Sequence, residues 1–135
     1  MEKPAILYID DDRDDQEVFV EVLKRIRPNI SCHLASDGRQ GLLLLRKLEV
    51  LPICIYLDLN MPVMNGLEVL KEIKGDPRYR DIPTFILSTS QNPNAEVQAR
   101  DLGAEEYLKK PNSYSAYTDL LSSCFLAHLQ EYGNN

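Results

Sequence analysis

Short, uninterrupted apolar runs alternate along this chain with stretches in which apolar residues recur every three or four positions. Three runs, Ala5–Ile9 (AILYI), 53–57 (ICIYL) and 84–87 (TFIL), are apolar on both alternating faces, as buried strands of a parallel sheet are when helices cover both sides. Two weaker segments, 30–34 (ISCHL) and 106–108, carry polar residues and are predicted to be edge strands. Val18, Phe19, Val22, Leu23 and Ile26 form a helical stripe that Arg27-Pro28-Asn29 stops. Asp37 with Gln40 resembles a capping box ahead of a leucine-rich helix over 42–48, and Asn65 with Glu68 opens a third helix whose stripe is Leu67, Leu70 and Ile73. Gly75-Asp76-Pro77 ends that helix. Asn92-Pro93 starts a fourth that closes at Leu102-Gly103, and a last helix is predicted over about 113–132.

Strict alternation of strands and helices predicts an α/β fold, a doubly wound five-stranded parallel sheet with right-handed crossovers. Placing the apolar strands centrally and the polar ones at the edges gives the order 2-1-3-4-5. The winding then reverses between strands 1 and 3, which sets the end of the first strand, at Asp10 and Asp11, beside Asp58 at the end of the third.

Composition narrows the class. At 135 residues, 44% hydrophobic and 27% charged, the chain fits one domain, 1–135, with no room for a further output domain. A formal net charge of −6 disfavours nucleic acid and anionic membranes as partners. Cys32, Cys54 and Cys124 are odd in number and widely spaced, and the apolar run near the start is too short for a signal peptide or a spanning helix, so the expected location is the cytoplasm.

The strand ends carry the candidate chemistry. Five of the six positions from Asp10 to Asp15 are Asp, and the run 53–57 stops on the single carboxylate of Asp58. Like charges about 4 Å apart repel by roughly 4 kcal/mol at an effective dielectric near 20, and a divalent cation with oxygen ligands, Mg²⁺ above all, resolves that conflict. Asp12, Asp14 and Asp15 are read as caps and solvation of the first helix. Lys110, after the fifth strand, can reach a phosphate as a point charge, and Ser88, ending the fourth, offers a hydroxyl. A carboxylate among such groups can attack phosphorus to form an acyl phosphate.

The combination resembles the receiver domain of two-component response regulators. The residues carrying the resemblance are Asp10-Asp11, Asp58 with Asn60-Met61-Pro62 and Gly66, Ser88, and Lys110-Pro111; Ser88 lies 30 and Lys110 52 residues beyond Asp58. The resemblance implies a flavodoxin-like receiver fold with Asp58 as phosphoacceptor. It further implies Mg²⁺ held by Asp10, Asp11, Asp58 and the Asn60 carbonyl, and Lys110 and Ser88 on the phosphoryl oxygens. Ser88 and Tyr107 would form a switch, and Lys110-Pro111 a cis peptide. The implied role is a signalling switch, not a turnover enzyme, with a histidine kinase, of phytochrome type by the GDPRYRDIP loop, and a protein or phosphotransfer partner. Thr89 and Asn112 depart from the small and aromatic residues often found there.

Two other readings are weaker. Phosphatases with an aspartyl nucleophile carry a DxD pair, and position 60 here is Asn. A pseudo-receiver that only binds partners would not need the full set of acids, hydroxyl and lysine. His33 and His128 lack a second ligand at metal spacing and are read as packing or surface residues.

In the last helix Tyr117, Leu120, Leu121, Cys124 and His128 already make a stripe of roughly 100°. Tyr114, Phe125, Leu129 and Tyr132 widen it to about 180°, with Leu126 beyond. The surplus predicts a homodimer through this helix, with Phe125 and Leu129 facing the partner.

Overall fold

The computed structural model describes residues 3–89 and 91–132. Its elements are β1 Ala5–Ile9, α1 Arg13–Ile26, β2 Ser31–Ala35, α2 Gly38–Lys47, β3 Cys54–Asp58, α3 Gly66–Lys74, β4 Thr84–Ser88, α4 Pro93–Leu102, β5 Glu106–Lys109 and α5 Tyr114–His128, followed by a 3-10 turn Gln130–Tyr132. All strand pairs are parallel and the order is β2-β1-β3-β4-β5. The central strands β1, β3 and β4 are buried at every residue, whereas β2 and β5 are partly exposed, as their polar content predicts.

Each helix begins on a side chain that accepts a backbone N–H: Asp12, Asp37, Asn65, Asn92 and Ser113. Such caps are worth about 1 kcal/mol each, and they fix where the loops beyond the strand ends turn into helix. Asn65 and Glu68 complete a reciprocal box, and Gly103 ends α4 at φ 106°, a left-handed conformation suited to glycine.

The sheet buries a different core on each face. Leu7, Ile9, Ile55, Leu57 and Ile86 pack under α2, α3 and α4, with Val69, Leu70, Ile73 and Ala99. Ile6, Tyr8, Cys54, Tyr56, Phe85 and Leu87 pack under α1 and α5, with Phe19, Val22, Tyr117 and Leu121. Rings on the second face form a chain, Tyr8 to Phe19 (4.2 Å between centroids), Tyr56 (5.1 Å) and Phe85 (4.9 Å). These bulky side chains hold α1 and α5 side by side on the sheet.

The last helix corrects the reading of its sequence. It ends at His128, where Leu129 leaves helical geometry (φ −131°, ψ 41°). Phe125 and Leu129, expected to face a partner, are 0% and 1% exposed and belong to the core of their own domain. The reason is that α5 packs against α1 as well as against the sheet, so two sides of it are covered. The Arg27 guanidinium, at the end of α1, lies 4.7 Å from the centre of the Phe125 ring. Of the wide stripe, only Tyr114 and Leu126 remain as exposed large apolar residues.

Candidate phosphoacceptor site

The site forms where β1 and β3 end side by side. Ile9 pairs with Leu57, so Asp10 and Asp58 leave the sheet as neighbours on the α1/α5 face. Asp58 is the last residue of β3 and is 3% exposed; Asp10 is fully buried. Beyond Asp58 the chain is clamped by Leu59 N–H donating to the Leu87 carbonyl (2.8 Å) and Gly66 N–H donating to the Leu59 carbonyl (2.9 Å). Gly66 opens α3 against this turn, and a Cβ there would lie 2.6 Å from the Asp58 carbonyl oxygen.

Asp10, Asp11 and Asp58 each present a carboxylate oxygen, and these oxygens all lie within 4.8 Å of one another. Asp11 is exposed, while the other two are buried. The oxygen-only donor set and its spacing fit a hard divalent cation such as Mg²⁺. Asn60, exposed just beyond Asp58, is on the same loop.

Lys110 Nζ faces this acidic group from the end of β5. It lies 2.8 Å from Asp10 Oδ2, 2.8 Å from Asp15 Oδ2 and 3.4 Å from Asp58 Oδ1, with its side chain 6% exposed. Its backbone N–H donates to the Ser88 carbonyl at 2.6 Å, which ties the lysine to the end of β4. Burial opposes a charged ammonium, yet the hydrogen bonds to Asp10 and Asp15 outweigh it and hold the Lys110 pKa above the ordinary lysine value. Burial, then the neighbouring Asp10 charge, push the Asp58 carboxyl up to about 7, and Lys110 only partly offsets them.

Ser88 is buried at the end of β4. Tyr107 pairs with Ile86 and Lys109 with Ser88, so Tyr107 and Ser88 lie on one face of adjacent strands. The Tyr107 ring packs into the α3/α4 core, and its hydroxyl is buried with no hydrogen-bond partner among the described residues. Thr89 and Asn112, with Pro111 and Ala116, line an open groove that leads to Lys110. No cis peptide bond occurs among the described residues, so Lys110-Pro111 is trans, the form X–Pro bonds intrinsically favour by about 0.5–1 kcal/mol.

The sequence reading assigned Asp15 to helix capping, and here the structure differs. Asp12 already caps α1 by accepting from Asp15 N–H at 3.1 Å, which leaves the Asp15 side chain free to turn inward. One of its oxygens meets Lys110 and the other accepts from the Tyr117 hydroxyl at 3.1 Å. The available signal was an acid surplus to the cap in the first turn of α1. Tyr8 and Gln16 were also missed: the Tyr8 hydroxyl donates to Asp10 Oδ2, and the Gln16 amide donates to the Asp10 carbonyl at 2.6 Å. Both belong to apolar or helical patterns that give no sign of their polar ends.

An acid trio and a lysine thus meet at the switch point of a 2-1-3-4-5 sheet. Residues 6–122 match the response regulator receiver domain family, and the chain belongs to it. It is 33% identical over 111 residues to the response regulator Rcp1 of Synechocystis sp., an alignment covering 78% of this chain and 76% of Rcp1. A protein-glutamate methylesterase/protein-glutamine glutaminase of Methanococcus maripaludis is 33% identical over 114 residues, but the chain spans only 30% of that protein's length. Among solved structures, the phosphorylated cyanobacterial phytochrome response regulator RcpA superposes with a TM-score of 0.87 at 28% identity, covering 96% of each chain. Residues 6–122 of the chain therefore form a two-component response regulator receiver domain.

Proposed function

We propose that Asp58 accepts a phosphoryl group from a histidine kinase and that the domain passes the signal on through protein contacts or a phosphorelay. The observation that carries this reading is the Asp58 carboxylate, 3.4 Å from Lys110 Nζ and within 4.8 Å of the Asp10 and Asp11 oxygens. An Asp58 oxygen attacks phosphorus, an O–P bond forms, the P–N bond to the donor imidazole breaks, and its electron pair returns to the ring nitrogen. Negative charge spread over the phosphoryl oxygens is met by the Lys110 ammonium and the Ser88 hydroxyl. Asp10, Asp11, Asp58 and the Asn60 carbonyl would hold Mg²⁺, and the chemistry it supplies when bound is neutralisation of phosphoryl charge.

Tyr107 and Ser88 are the proposed switch, a ring and a hydroxyl on one sheet face. A phytochrome-type kinase is the proposed donor, supported by the likeness to RcpA, whose structure is that of a phosphorylated phytochrome response regulator. The likeness to Rcp1, which has been solved with Mn²⁺ bound, supports a divalent cation at the acid trio. The domain acts as a switch in the cytoplasm, without turnover chemistry or nucleic-acid contact of its own; no described helix is long and apolar enough to cross a membrane.

Incubation with a small phosphodonor and Mg²⁺ tests the reading by intact mass. One phosphoryl group should appear, should fail to appear when Mg²⁺ is chelated beforehand, and should be absent in Asp58→Asn. Labelling of Asp58→Asn at the wild-type rate overturns it.

A further inference from the structure

Lys110 has two short carboxylate partners and a longer one. Asp10 and Asp15 stand at 2.8 Å, and Asp58, the residue whose chemistry needs the ammonium, at 3.4 Å. Asp10 belongs to the acid trio suited to a cation, and Asp15 does not. Asp15 reaches the lysine from α1, and its second oxygen is held by the Tyr117 hydroxyl of α5, a residue that is itself 2% exposed. The ion pair is thus shielded: the lysine side chain is 6% exposed and that of Asp15 23%. Screening by water is weak at such a site, and a carboxylate there competes effectively for the ammonium.

Nothing about the position of Lys110 depends on Asp15 alone. Its backbone is tied to Ser88, its ammonium to Asp10, and its stem is buried. Asp15 divides the lysine's charge without being needed to hold the lysine in place. Building on the proposed phosphorylation of Asp58, we propose that Asp15 is a positioning residue that draws the Lys110 ammonium away from Asp58 and restrains phosphoryl transfer, with Tyr117 setting the strength of that pull.

The hydroxyl of Tyr117 donates to Asp15 and stabilises part of its charge, so Tyr117 weakens the hold of Asp15 on the lysine. Two conservative substitutions therefore act in opposite directions. Asp15→Asn keeps the shape and an acceptor oxygen but removes the competing charge, and it should speed phosphorylation by about three- to tenfold, a fraction of what a whole donor contributes. Tyr117→Phe leaves Asp15 without its hydroxyl and should slow phosphorylation. Loss of packing between α1 and α5 would move both variants the same way.

The experiment measures phosphorylation of the full chain by phosphoramidate with Mg²⁺, for wild type, Asp15→Asn, Asp15→Ser and Tyr117→Phe, each checked for folding by circular dichroism. The same Asp15→Asn change is made in a Lys110→Ala background, where it should lose most of its accelerating effect. A readout independent of activity is the ¹⁵N resonance of the Lys110 ammonium, which should shift in Asp15→Asn without Mg²⁺ or phosphodonor. Equal acceleration with and without Lys110, an unshifted ammonium resonance, or equal slowing by Asp15→Asn and Tyr117→Phe overturns the inference. A wild-type chain that takes no phosphoryl group overturns the functional reading itself and this inference with it, whereas normal labelling with unaffected variants removes only the role of Asp15.

Discussion

Gly66 lies so close to Asp58 that a methyl group on its Cα would stand 2.6 Å from the Asp58 carbonyl oxygen and 2.9 Å from Leu59 Cα. Both obstacles are backbone, held by the Leu59 to Leu87 and Gly66 to Leu59 hydrogen bonds, so neither can swing aside. Gly66→Ala must therefore push α3 away from the end of β3. The expected cost is about 1–3 kcal/mol, typical of forced overpacking. Phosphorylation of Asp58 should fall more steeply than stability, because the acid trio needs its spacing to within tenths of an ångström. Denaturant melts alongside labelling rates check this, and a variant with wild-type stability and rate would show that the turn yields freely.

The metal-free site should be a source of instability that pH controls. A carboxyl pushed up to about 7 from 3.8 binds more protons folded than unfolded between those values. Stability contributed by Asp58 is then present at low pH and lost as pH rises towards 7. Asp58→Asn removes the charge, so in EDTA it should melt higher than wild type at pH 8 and no higher at pH 4. The gap should be roughly 1–3 kcal/mol, well below the full value of the shift because Lys110 and local relaxation absorb part of it. Added Mg²⁺ should raise the wild-type melting temperature and close much of the gap. An equal gap at both pH values would mean that the charge of Asp58 is not what destabilises the fold.

Tyr107 offers a cleaner test of packing against polarity. Among the described residues its hydroxyl has no hydrogen-bond partner, while its ring packs with the α3/α4 core. A buried, unsatisfied hydroxyl costs about 1–3 kcal/mol. Tyr107→Phe should keep the ring contacts and stabilise the unphosphorylated domain by about 1 kcal/mol, measured by urea unfolding. Destabilisation by that amount would reveal a partner for the hydroxyl.

Most of this architecture is legible in the pattern of apolar and polar residues along the chain. The apolar run that stops on Asp58, and the polar content of 30–34 against 53–57, ordered the sheet because burial on both faces leaves no room for polar side chains. Asp10, Asp11, Ser88 and Lys110 were legible because strand ends of a parallel sheet share one rim. Asp15 and Tyr117 were not, since their meeting depends on how α1 leans against α5 across 102 residues of chain. A helical-wheel count treats the sheet as the one surface a helix can cover, and it misjudged α5 for the same reason.

Phe125 is where that misjudgement has a measurable consequence. A partner-facing aromatic replaced by Asp would leave the monomer folded and abolish self-association. Phe125 is instead 0% exposed, under the Arg27 guanidinium at 4.7 Å and among the side chains that join α5 to α1 and the sheet. Truncating a buried phenylalanine costs about 3–5 kcal/mol, and placing a carboxylate in the same space costs more because burial disfavours the charged form. Set against a total stability of about 5–15 kcal/mol, Phe125→Asp should unfold the domain or leave it barely folded, and Phe125→Leu, which keeps most of the volume, should be tolerated. Leu129, 1% exposed, should behave likewise, whereas Leu126→Asp, at a residue 64% exposed, should change the unfolding midpoint little. Circular dichroism melts of the three Asp variants separate these cases. A folded, cooperative Phe125→Asp protein with the wild-type midpoint would return this face of α5 to the surface.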